Sequence, residues 1–180
     1  MVLQHVIKPR PAKAAGRALY ASAASQARDP WFYRSLGVAD TPEGRFELYT
    51  LHVALIVLRL KGQGAVAAET AQHLFEAFIR ALDDALREMG VGDLSVPKKM
   101  KRLGEAFYGR VRSYEAAFAA ADAGAELRDV LARTVLEGSG GAGAARLAAY
   151  AAEASEALAQ TPLDELLKGR VRWQAPEGGS

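Results

Sequence analysis

Between Thr41 and Gly62 the sequence carries a helix start, a helix stop and, between them, a segment that is apolar on nearly every side. Thr41 is a good N-cap, Pro42 occupies the first helical position where its missing N–H costs nothing, and Glu43 faces the positive end of the helix dipole. From there Phe46, Tyr49, Val53, Ile56, Val57 and Leu60 recur at spacings of three and four, while Leu48, Leu51, Leu55 and Leu58 fill much of the remaining circumference. A helix of that kind has to be surrounded by others. Its most apolar run, Val53 to Leu58, lies between His52 and Arg59 and falls far short of the roughly 20 residues that span a bilayer. The segment predicts the central helix of an all-α domain.

The rest of the chain supplies the surrounding helices. About a fifth of the residues are alanine, and no β-branched or aromatic run alternates with period two, so helix is the default state. Stop signals give helices over 11–28, 42–60, 66–89, 97–121 and 125–137, with Trp31, Phe32 and Tyr33 in a short turn or one-turn helix closed by Gly37. The stripe Leu74, Phe75, Phe78, Leu82, Leu86, Met89 and the series Leu103, Phe107, Val111, Tyr114, Phe118 mark buried faces. Residues 138–143, Gly-Ser-Gly-Gly-Ala-Gly, read as a linker. The expected organisation is a flexible basic tail over 1–10, a compact domain of about five helices over 11–137, the linker, and an appended helical segment and tail over 144–180. With no 7-to-15-residue apolar stretch behind Lys8, Arg10 and Lys13, the amino terminus does not read as a secretory signal.

Few chemistries are open to this composition. There is no cysteine, which removes disulfides, thiolate metal sites and thiol nucleophiles. His5, His52 and His73 are the only histidines, and only His73 has a ligand-type neighbour at helical spacing, Glu76; no metal site or cofactor is expected. His52 sits in the most apolar helix, so its ring nitrogens must find partners. Asp83, Asp84 and Glu88 are bracketed by Arg80 and Arg87 and read as a solvated ion-pair face, Gly90-x-Gly92 lacks a dinucleotide fingerprint, and no serine sits in a nucleophile elbow. No catalytic residue is assigned. The most one-sided feature is Lys98, Lys99, Lys101 and Arg102 at the start of a helix, where positive charge opposes the dipole. It calls for an anionic partner, either the Asp83, Asp84 and Glu88 face across the loop or phosphate groups of RNA or lipid outside the protein. Net charge is only +2, so any such contact is local.

Three ordered blocks carry a family resemblance: Asp40-Thr-Pro-Glu-Gly-Arg-Phe-Glu47 leading into Leu51-His52, Arg87-Glu-Met-Gly-Val-Gly-Asp-Leu94, and Phe107-Tyr-Gly-Arg110 with Tyr114. With Trp31-Phe32-Tyr33 ahead of them, they resemble the ubiquinol-cytochrome c chaperone family over about residues 19–121. The region after Gly138 is read as lying outside it. The resemblance implies an all-helical, non-enzymatic chaperone for assembly of the cytochrome bc1 complex that handles newly made cytochrome b, in some relatives with the ribosome and a small partner assembly factor. It also suits a cytoplasmic protein at the inner face of the membrane. On this reading Trp31, Phe32 and Tyr33 form the lip of an apolar client groove, and Lys98, Lys99, Lys101 and Arg102 contact ribosome or anionic membrane. Arg87, Glu88, Asp93 and Arg110 organise the turn between two helices or bind a partner. The alternatives are a helical RNA-binding module, with no sequence-specific nucleic acid expected under the main reading, and a haem- or small-molecule-binding helical enzyme.

Overall fold

A computed structural model describes residues 11–138 and 140–174; the tail expected over 1–10 and the last six residues of the expected C-terminal tail lie outside these. Within the described residues there are eight helices and no strand: α1 Pro11–Ala27, α2 Pro30–Arg34, α3 Pro42–Leu60, α4 Ala65–Glu88, α5 Val96–Ala119, α6 Ala123–Thr134, α7 Ala142–Gln160 and α8 Leu163–Leu167.

The central helix forms as its sequence requires. Thr41 Oγ1 accepts from the Gly44 amide at 3.1 Å, satisfying one of the orphan donors of the first turn. Gly44 is compulsory there, since a Cβ would lie 2.1 Å from the Ala39 carbonyl oxygen where the incoming chain crosses the helix. Leu48, Leu51, Val53, Ala54, Leu55, Ile56 and Leu60 are buried, and α1, α4, α5 and α7 all pack against α3. An extensive contact joins α1 to α4, so close that a Cβ on Gly16 would stand 2.6 Å from the Leu74 amide nitrogen. Phe78, Phe107 and Tyr114 complete the core on the α4 and α5 side.

The C-terminal region is not an appendage. Ala144, Leu147, Tyr150, Ala151, Ala154 and Leu158 of α7, and Leu166 of α8, belong to the same core as α3. Arg59 reaches from α3 to the end of α7, donating to the Leu158 and Thr161 carbonyls at 2.9 and 3.2 Å. The division expected at residue 138 therefore marks a turn and not a break in packing. A helix of small residues lies close to its neighbours because it has few large side chains to hold it off, which is why α7 looks weakly anchored in sequence and is central in space.

Candidate functional site

Two regions hold the candidate residues: an aromatic cluster around α2, and the elbow between α4 and α5. Asp29 caps α2 by accepting from the Trp31 amide at 2.8 Å, and this one-turn helix points its aromatic side chains inward. Trp31 is 8% exposed and Phe32 is fully buried. Phe32 stands edge-on to both His52 and Tyr150, with ring centroids 5.4 and 5.0 Å away. Arg146 lies 5.3 Å above the Trp31 ring in a cation–π contact. Tyr33 is half-buried and its hydroxyl donates to the Ala27 carbonyl at 3.0 Å. As folded, Trp31 and Phe32 do not line a surface lip; their rings wedge α2 against α3 and α7, because apolar rings of that size gain more from burial than from exposure.

At the centre of the cluster, His52 is fully buried with both ring nitrogens satisfied: Nδ1 lies 2.8 Å from the Leu48 carbonyl and Nε2 2.7 Å from the Tyr150 hydroxyl. A carbonyl only accepts, so Nδ1 carries the proton and donates, and Nε2 accepts from Tyr150. Gln26 Nε2 in turn donates to the Tyr150 oxygen at 3.1 Å. Burial pushes His52 down to about 4 and the Tyr150 phenol up. The need for partners at His52 was legible in sequence. Tyr150 was missed, although it is the one large aromatic in an alanine-rich helix.

At the elbow the expected set divides. Arg87 pairs with Asp83 one turn earlier at 2.7 Å and with Asp93 across the loop, closing the turn as expected. Arg110 belongs elsewhere: its guanidinium forks onto Glu47 of α3, Nε to Oε2 at 2.9 Å and Nη2 to Oε1 at 2.7 Å, with Glu47 only 12% exposed. Glu47 lay inside a quoted block without being assigned this role. Glu88 is exposed and makes no ion pair among the described residues. The expected pairing of the basic run with the acidic face is not formed either. Lys98, Lys99, Lys101 and Arg102 are all exposed, and only Lys101 has a carboxylate near, Glu105 at 4.0 Å. Asp83 is unavailable to them because Arg87 already holds it. Ahead of the basic run stand two exposed apolar side chains, Leu94 at 99% and Met89 at 54% exposure; Met89, expected to continue the buried stripe of α4, sits instead at its exposed C-cap.

Elsewhere, a shallow cleft of about 280 Å³ between α1 and α4 is lined by Lys13, Arg17, Tyr20, His73, Glu76 and Arg80. His73 is committed there to Glu76 at 2.9 Å. Among the described residues no three His, Asp or Glu side chains converge as metal ligands do, and no helix is long and apolar enough to cross a membrane.

A single helical core stitched by buried polar links, with a cationic and apolar elbow projecting from it, defines an all-α domain whose recognition features are surfaces. The particular family follows from comparison. The sequence profile of the ubiquinol-cytochrome C chaperone family matches residues 34–173, and the chain belongs to that family. The match runs through α7 and α8, correcting the expectation that the region after Gly138 lies outside. The crystal structure of the Cbp3 homolog from Brucella abortus is similar over 94% of each chain, with a TM-score of 0.84 and 32% sequence identity. No curated protein sequence matches.

Proposed function

We propose that this protein is a non-enzymatic assembly chaperone of the cytochrome bc1 complex whose client is newly made cytochrome b. The observation that carries the reading is membership of the ubiquinol-cytochrome C chaperone family across 34–173, supported by likeness to the Brucella Cbp3 homolog over nearly the whole chain. The place of action is the cytoplasmic face of the membrane. Four exposed cations flanked by Leu94 and Met89 suit a surface that is anionic and apolar just beneath, as a phospholipid headgroup layer is. The edge of Tyr33 and the elbow residues Arg87, Glu88 and Asp93 offer contacts for client or a small partner assembly factor. Trp31 and Phe32 join them only when α2 moves off α7. Deleting the gene tests the reading: cytochrome b should disappear while its messenger persists, and normal cytochrome b levels would defeat it.

A further inference from the structure

The described chain does not end at α8. Lys168 and Gly169 turn it back onto α1, Gly169 with φ +80° and seated so tightly that a Cβ would lie 2.6 Å from that of Ala18. The last backbone hydrogen bond is from the Arg170 amide to the Glu165 carbonyl at 2.9 Å. Val171, Arg172, Trp173 and Gln174 then run without helix and without a backbone–backbone hydrogen bond among the described residues. Their side chains alternate: Val171 and Trp173 pack against the core, while Arg172 and Gln174 are exposed. That is the way an extended peptide lies on a protein, not the way a helical protein ordinarily finishes a core.

The contacts are those of a recognition slot. Trp173 Nε1 donates to Ser22 Oγ at 3.1 Å, and its ring stands edge-on to His52 with centroids 5.1 Å apart. Gln26, one helical turn beyond Ser22 on the same face of α1, donates to the Gln174 carbonyl at 3.4 Å. The polar network beneath is complete without this segment. Leu48 to His52 to Tyr150 to Gln26 satisfies its buried members internally, so lifting the segment costs two hydrogen bonds and orphans no buried group of that network. A segment with an unpaired backbone over a self-sufficient floor belongs to the low-stability end of a structure.

We propose that the slot formed by Ser22, Gln26 and His52 is a binding site for an extended polypeptide segment bearing tryptophan, and that residues 170–174 occupy it until such a segment displaces them. That the segment comes from cytochrome b rests on the function proposed above; that the slot binds peptide does not.

The probe is a fluorescein-labelled peptide copying residues 168–177, Lys-Gly-Arg-Val-Arg-Trp-Gln-Ala-Pro-Glu, titrated by anisotropy into the full chain and its Trp173→Ala variant. The variant should bind at least tenfold more tightly than the wild type, and a peptide with alanine in place of its tryptophan should lose that gain. Equal affinity for both proteins, or binding indifferent to the peptide's tryptophan, overturns the proposal. If Trp173→Ala unfolds by circular dichroism, Trp173→Phe keeps a ring, drops the donor to Ser22, and should give a smaller gain of the same sign; no gain overturns the proposal. Capture of cytochrome b made by cell-free translation separates the two readings. Failure of both proteins to capture it, with peptide binding as expected, removes the client and leaves the slot. Equal capture by both, with no discrimination of the peptide, removes the slot and leaves the chaperone.

Discussion

The Nε2 of His52 on α3 lies 2.7 Å from the hydroxyl of Tyr150 on α7, a buried hydrogen bond between residues 98 apart in the chain. It joins the central helix to the helix that looks least attached in sequence. Because Nδ1 is held by Leu48, the ring cannot turn to find another partner, so the tautomer and the α3–α7 register fix each other. The link also forms the floor on which Trp173 rests.

This histidine makes stability depend on pH. Its pKa is about 4 in the folded protein and near 6.5 when unfolded, so between these values the unfolded state binds the proton. The contribution is complete above about pH 6.5, falls as pH drops, and is exhausted near pH 4, with a ceiling of about 3 kcal/mol. Thermal melts of wild type and His52→Gln should therefore converge as pH falls from 7 to 4, the variant being the flatter of the two. Parallel curves would show that His52 does not titrate between folded and unfolded states. Tyr150→Phe leaves Nε2 without a donor and should cost about 1–3 kcal/mol at pH 7 by urea unfolding.

The Glu47 and Arg110 fork is a second cross-helix link, and here geometry outweighs charge. Arg110→Ala leaves a nearly buried carboxylate unpaired and should destabilise by about 2–3 kcal/mol, seen as a lower urea midpoint at unchanged slope. Arg110→Lys keeps the charge but cannot supply two parallel donors, so it should recover only part of the loss. Full recovery by lysine would mean that the fork contributes nothing beyond Coulomb attraction.

Two helical glycines should respond to alanine with opposite sign. At Gly16 the new methyl meets backbone of α4 at 2.6–2.7 Å, and prising α1 from α4 should cost about 1–3 kcal/mol. At Gly104 nothing lies within 4 Å, so alanine should stabilise through helix propensity by up to about 1 kcal/mol. Melting temperatures of the two variants check the pair; a raised value for Gly16→Ala would contradict the close α1–α4 contact, and a lowered one for Gly104→Ala would contradict the open surroundings of that site.

What the sequence disclosed and what it hid divide along physical lines. The start of α3 was readable because Thr41, Pro42 and Glu43 each act within one turn, and the burial of His52 followed from its apolar neighbours. Arg87 closing the elbow was readable for the same reason, since Asp83 and Asp93 are only four and six residues away. Tyr150 as the partner of His52, Glu47 as the partner of Arg110 and Ser22 beneath Trp173 are choices made by packing at separations of 98, 63 and 151 residues, and no local pattern encodes them. The aromatic triplet misled in a different way. Its residue types suit a client groove and a core wedge equally, and only the inward turn of α2 distinguishes them.

The elbow yields the prediction closest to function. Lys98, Lys99 and Arg102 have no carboxylate within 4.0 Å among the described residues and stand where the helix dipole is already positive, so they are free to meet external anions. At about 1 kcal/mol per cation near an anionic bilayer, reversing Lys98, Lys99, Lys101 and Arg102 to glutamate should weaken co-sedimentation with phosphatidylglycerol-containing vesicles by at least 10²-fold at low salt. Raising salt should weaken the wild type in the same direction, because exposed charges are screened within about 10 Å at 0.1 M. Leu94→Asp separates insertion from attraction. An apolar side chain 99% exposed at the loop tip contributes only if it enters the bilayer, so its replacement should lower binding even in the high-salt regime where the cations no longer act. Vesicle binding indifferent to all five positions, with ribosome co-sedimentation lost on charge reversal, would assign the elbow to ribosomal RNA instead of lipid.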